Sequence, residues 1–242
     1  VEAYRIEGMK GSSGWYMDDV KVVAPDGYTM SKTNSFDGEW VNQLTYTEEG
    51  NHTDTIYLKD ENGCITAGVV VQIRIDKTAP SGLAISYAKY TWNFGNMLGG
   101  AKDVEVTFSF VENGSGAESV EFSLDEGATW KSASYEGGVY STAVSPEYRG
   151  KVQFRVTDAA GWSSELFADG TILIVDSVEP GLAVAFEEGT YRKDGEVIYT
   201  SEEVFDITLM VTDDNYDVRE NAPKVLVNEQ EWPLEWTNSA KE

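Results

Sequence analysis

The sequence predicts an all-β protein, antiparallel sandwiches set in tandem along one chain. Three observations lead there. Apolar residues recur with a period of two, clusters of Gly, Asn, Asp and Pro separate the runs, and a strand-to-proline segment occurs twice, 100 positions apart. In chain order, Ile56 and Leu58 precede Val69, Val71, Ile73 and Ile75. Val104, Val106, Phe108 and Phe110 alternate with Glu105, Thr107 and Ser109, and Val120, Phe122 and Leu124 repeat the pattern. Val152, Phe154 and Val156 follow, and later Phe205, Ile207, Leu209 and Val211. Turn clusters sit between them at 25–27, 60–63, 112–116 and 136–138. No stretch of about 12 residues or more carries a helical period. Strands of this length, apolar on one face and polar on the other, pack as antiparallel sheets with one face buried.

The repeat sets the predicted organisation. Arg74-Ile-Asp76-Lys-Thr-Ala-Pro80 and Ile174-Val-Asp176-Ser-Val-Glu-Pro180 both end a strand in Asp and reach Pro four residues later. Each is preceded by a matching hairpin, Tyr57-Leu-Lys-Asp60-Glu-Asn-Gly63 and Arg155-Val-Thr-Asp158-Ala-Ala-Gly161. A proline just past a last strand removes an amide donor and stiffens a short connection. Three modules are therefore expected, at 1–80, 81–180 and 181–242. Their acidic excess rises from 6 to 8 to 10, so no basic face hides inside the average.

The net charge of −24 excludes a nucleic-acid or anionic-membrane surface, since both require clustered Lys and Arg. The longest apolar runs, 68–73 and 172–175, are strand-sized and far short of a bilayer span, so no membrane insertion is expected. One cysteine, Cys64, allows no internal disulfide, and no basic neighbour favours its thiolate, so it reads as inert. One histidine, His52, precedes the Ile56 strand without a nucleophile motif around it, and reads as an exposed hairpin residue.

Several of these segments resemble a known family. Asp76-Lys-Thr-Ala-Pro80, the strand and turn Thr55–Gly63, the stretch Gly14–Tyr28 and the stretch Ser115–Asp125 are similar to the tandem immunoglobulin-like repeats of large surface proteins from Gram-positive gut bacteria. The resemblance implies immunoglobulin-like sandwiches, an extracellular place on a bacterial cell surface and monomeric modules within a longer chain. The single histidine and the missing nucleophile motif argue against catalysis, and no cofactor is expected apart from the calcium candidate below. It implies a spacer or adhesion segment. Two alternatives stay open: binding of a host protein such as an immunoglobulin or mucin through loops or sheet edges, and glycan binding through exposed aromatic rings. Family hairpins read Asp-x-x-Gly-Asn, whereas Cys64 and Trp162 follow the glycine here.

Four constellations could carry chemistry. Ser123-Leu-Asp125-Glu-Gly127-Ala-Thr129-Trp130 matches the Asp-box pattern that sialidases carry several times. It occurs once, and six arginines scattered along the chain do not suggest an arginine triad. Asp125, Gly127 and Trp130 are therefore expected to build a hairpin, with Asp125 accepting turn amides. Acidic clusters occur at Asp18/Asp19, at Asp60/Glu61/Asn62 with Asp76, at Asp158 with Asp176, and at Asp213/Asp214/Asn215/Asp217. Oxygen donors of this kind suit calcium, and Asp213, Asp214 and Asp217 are the densest candidate; the alternative is a solvated surface with turn-capping carboxylates. Among seven tryptophans, Trp162 is the one expected to be exposed for binding. Met97 and Leu98, in an apparent loop, would either anchor a partner or plug the end of a sandwich.

The segment from 181 is only 62 residues long. Strands are expected near 190–192, 197–199, 204–211 and 224–227, with a fifth around 232–236, and no counterpart of the Asp-x-x-Gly hairpin follows. The sequence thus predicts a piece of a longer polypeptide, cut inside a third module that is the least stable part.

Overall fold

In the computed structural model the described residues are 4–186, 189, 191–201, 207–213, 224–227 and 229–232. They are all-β: none is helical, and none forms a helix long and apolar enough to cross a membrane. The chain divides into two compact units. One comprises 1–88, 105–143 and 150–171; the other comprises 89–104, 144–149 and 172–242.

The first unit opens with six strands: β1 (Arg5–Glu7), β2 (Val20–Val23), β3 (Tyr28–Ser31), β4 (Gln43–Tyr46), β5 (Gly50–Asp60) and β6 (Val69–Ile75). They form two antiparallel three-stranded sheets, β1-β2-β4 and β3-β5-β6. Of the alternating residues read from the sequence, Ile56, Leu58, Val71, Ile73 and Ile75 face inward and Val69 is partly buried against them. With Val20, Val22, Met30 and Tyr46 these five form one enclosed core, each contributing roughly 1.5–3 kcal/mol by leaving water.

The chain continues through β7 (Ser81–Ala88), β8 (Trp92–Phe94), β9 (Met97–Gly100), β10 (Val104–Val111), β11 (Ala117–Ser123), β12 (Lys131–Ser132), β13 (Ser134–Glu136), β14 (Val139–Val144), β15 (Tyr148–Gly150), β16 (Gln153–Asp158) and β17 (Ile172–Val175). The orders are β13-β14-β10-β7, β12-β11-β16 and β15-β17-β9-β8. Within the first unit Phe108 packs on Phe154 and Phe122, at ring-centroid distances of 4.9 and 5.8 Å, and Phe154 meets Phe167 edge-on at 5.7 Å. In the second unit β9 and β17 run parallel, Met97 opposite Ile172 and Gly100 opposite Val175. Gly99 permits this pairing, because a Cβ there would overlap the Ile174 carbonyl.

The predicted strands at 190–192, 197–199 and 204–211 correspond to β19 (Tyr191–Asp194), β20 (Val197–Thr200) and, for its described part, β21 (Ile207–Thr212), which pairs with β18 (Gly181–Phe186). β22 (Val225–Val227) pairs with β23 (Gln230–Trp232). The predicted fifth strand continues to residue 236, and its last residues lie outside the described ones.

The internal repeat recurs in closely similar hydrogen bonds. Asp60 Oδ1 accepts the amides of Asn62 and Cys64, and Asp158 Oδ1 accepts those of Gly161 and Trp162. The Thr66 hydroxyl accepts Leu58 N–H and the Ser164 hydroxyl accepts Val156 N–H, both at 3.0 Å. Gly63 and Gly161 both take positive φ, 84° and 105°, which closes each turn behind its aspartate. After each last strand the pattern continues. Thr78 N–H donates to Asp76 Oδ1 and Val178 N–H to Asp176 Oδ1, while the Thr78 and Ser177 hydroxyls donate to Glu49 and Glu147.

Candidate functional site

Asp76, the residue that follows β6, is fully enclosed and ties down three separate segments of the first unit. Its amide donates to the Tyr16 carbonyl at 2.9 Å. Its Oδ2 accepts the Ser115 amide at 2.7 Å, and its carbonyl accepts the Trp162 indole N–H at 3.0 Å. Ser115 Oγ in turn accepts the Ala160 amide, and the Ala160 carbonyl accepts the Ser12 amide. The turn at 112–116 can approach only because residue 114 is glycine: a Cβ there would collide with the whole Asp76 carboxylate.

Two further carboxylates converge on the same point. Asp158 is also fully enclosed; its Oδ1 closes the hairpin turn, and its Oδ2 is buried with no hydrogen-bond partner. Glu112 Oε1 accepts the Gly114 amide at 2.7 Å and the Gly116 amide at 3.2 Å. One carboxylate oxygen each from Asp76, Glu112 and Asp158 lie within 4.8 Å of one another. Like charges that close repel by roughly 3–4 kcal/mol per pair at an effective dielectric of 20. Burial raises the Asp158 pKa above the usual carboxylate value; the amides of Trp162 and Gly161 oppose this, and the Asp76 charge adds to it. Among the described residues no Lys or Arg pairs with any of the three.

The pairings suggested by the sequence differ from this arrangement. The sequence sets Asp60 beside Asp76, whereas Asp60 caps its own turn and Asp76 lies with Glu112 and Asp158. Asp213 follows β21 and is partly buried; Asp214 and Asp217 lie outside the described residues. Trp162 is half-buried rather than exposed, because its indole N–H is bonded to the Asp76 carbonyl. Met97 and Leu98 stand in β9 rather than in a loop, both half-buried, between β8 and β17. Sequence reasoning did not group Glu112 with the other two; the available signal was the Glu112-Asn-Gly-Ser-Gly116 turn, whose glycine spares room for a foreign side chain.

In the Asp-box hairpin the Thr129 amide donates to Asp125 Oδ1 at 2.8 Å, and the Ser123 and Thr129 hydroxyls also donate to this carboxylate. These bonds, those of Thr129 foremost, hold the Asp125 pKa down to about 2. The Trp130 indole N–H donates to the Gly127 carbonyl. One face of the Trp130 ring is covered by the Arg155 guanidinium at 4.2 Å, itself paired with Glu121 at 2.9 Å, so that face offers no bare platform to a sugar. An aromatic row that sequence reasoning did not single out runs across β13, β14 and β10: Tyr135 on Tyr140 at 4.5 Å and Tyr140 on Phe110 at 5.6 Å, with Tyr135 exposed.

His52 lies inside β5 and is partly buried, not in an exposed hairpin. Its Nε2 meets the Glu48 carbonyl at 2.7 Å and its ring packs near Tyr46. Cys64 is exposed, with no disulfide.

No protein-family model matches the chain, and no curated protein matches it in sequence. Similar solved structures include the fibronectin(III)-like modules of CbhA from Clostridium thermocellum, at 10% identity and TM-score 0.33, covering 72% of this chain and 94% of that one. The FN1-FN3 domains of chicken CNTN1 match at 10% identity and TM-score 0.31, covering 70% and 65%. A cytokine receptor complex matches at 11% identity and TM-score 0.30, covering 72% and 98%.

Proposed function

We propose that the chain is a non-catalytic segment of a bacterial cell-surface protein, an extracellular spacer or adhesion segment. One observation carries this reading. The segment that leaves the first sandwich is fastened by Asp76 to the turn at 112–116 and the hairpin at 158–162, so consecutive β-structure is joined by fixed geometry instead of free chain. A connection that resists bending is what a spacer needs. The acidic surface suits the same task, since like-charged segments stay soluble and do not collapse onto each other.

The test is capture. The immobilised chain is exposed to serum, secretory immunoglobulin and mucin, and then to a glycan array. A spacer retains nothing saturable. Saturable capture of a host protein would replace this reading with recognition through loops or sheet edges, and saturable glycan binding lost in Tyr135→Ala would replace it with a carbohydrate-binding role.

A further inference from the structure

We propose that Asp76, Glu112 and Asp158 bind one calcium ion, at the point where the segment after β6 meets the turn before β11 and the hairpin after β16. Three independent features converge there. Three carboxylates present oxygens within 4.8 Å of one another, and no ammonium or guanidinium among the described residues neutralises them. Asp158 Oδ2 is buried, on a fully enclosed residue, and lacks any partner. Such an oxygen is costly unless a proton or a cation meets it. The backbone around the cluster also holds the ligands in place beforehand: amides of Thr78 and Ser115 fix Asp76, those of Gly161 and Trp162 fix Asp158, and those of Gly114 and Gly116 fix Glu112.

The chemistry of the donors selects the ion. All three are hard carboxylate oxygens, with no histidine or thiolate, which disfavours zinc and copper. Two oxygens on opposite sides of one calcium are separated by roughly 4.6–5.2 Å, from Ca–O distances of about 2.3–2.6 Å. The observed spread fits inside that span. Magnesium, bound at about 2.0–2.1 Å in strict octahedral geometry, dehydrates reluctantly and is held by one or two carboxylates plus waters, so three converging carboxylates suit calcium better. Water supplies the remaining calcium ligands, entering on the side of Glu112, the one member that is not fully enclosed.

This assignment is independent of the spacer reading: capture of a host ligand would leave the ion site standing, and loss of the site would leave the spacer standing. The experiment uses the full chain stripped of metal. Terbium luminescence excited through tryptophan reports binding, since the Trp162 indole is bonded to Asp76 itself, and calcium titration calorimetry gives the stoichiometry. Wild type is expected to take up one ion more than Asp158→Asn, and Glu112→Gln to weaken that ion by more than about tenfold. Asp213→Asn should change neither. Circular dichroism checks each variant. Should Asp158→Asn fail to fold, Glu112→Gln, on a partly exposed residue, decides alone. No uptake by wild type at millimolar calcium overturns the proposal, as does uptake unchanged in both variants or abolished by Asp213→Asn.

Discussion

The hairpins at 57–66 and 155–164 share their hydrogen bonds almost donor for donor, yet they end in different surroundings. The first turn is capped by a partly exposed Asp60 and followed by Cys64, whose side chain is exposed. The second is capped by a fully enclosed Asp158 and followed by Trp162, whose indole reaches the Asp76 carbonyl. The difference teaches that the Asp-x-x-Gly turn is a conformation and not a site. What it does is decided by the residue after the glycine and by whichever segment comes to lie over the aspartate's second oxygen.

The strongest way to break this contrast is to remove the one side chain that distinguishes the turns. Trp162→Ala should cost about 2–3 kcal/mol in urea denaturation, less than a fully buried tryptophan because the ring is only half-buried. Cys64→Ala should stay within about 0.5 kcal/mol. Equal effects would mean that the indole does not fasten the junction. Smaller changes test the shared scaffold. Thr66→Val and Ser164→Ala each orphan a backbone amide held at 3.0 Å, and each should cost about 0.5–1.5 kcal/mol, with similar values for the two. A large cost at one and none at the other would show that the two hairpins are alike only in outline.

The smallest effect concerns a third aspartate-capped turn, that of Asp125. Its carboxylate is stabilised in the folded chain down to about pH 2, below the unfolded value of about 3.9. A depressed pKa contributes stability above the unfolded value, and this contribution is lost as pH falls towards about 2. The melting temperature of Asp125→Asn should therefore lie a few degrees below wild type at pH 7, with the gap closing between about pH 4 and 2. A gap that persists at pH 2 would show that the carboxylate charge plays no part.

Much of this was legible in the sequence. The period of two gave the strands, and the paired Asp-x-x-Gly and Asp-to-Pro segments foretold hydrogen bonds that recur 98 to 100 positions apart, from Asp60 to Asp158 and from Asp76 to Asp176. Those are local codes, written in residues that bond to their own neighbours. The carboxylate cluster is not local. Asp76 and Asp158 come from successive copies of the repeat and Glu112 from a turn between them, so a search within each copy does not bring the three together. Met97 and Leu98 were misread for the same reason: three or four residues beside two glycines look like a loop until a strand 75 positions later pairs with them.

That pairing of β9 with β17 fixes a timetable. An antiparallel neighbour can zip up as soon as its turn is made, but a parallel partner waits for the intervening chain. On a ribosome adding about 5–20 residues per second, Met97 emerges roughly 4–15 s before Ile172 exists. During that interval β9 has only the short β8 hairpin beside it, while residues 4–75 already hold both sheets of a closed core. The core of residues 4–75 can thus close while β9 still waits for its parallel partner.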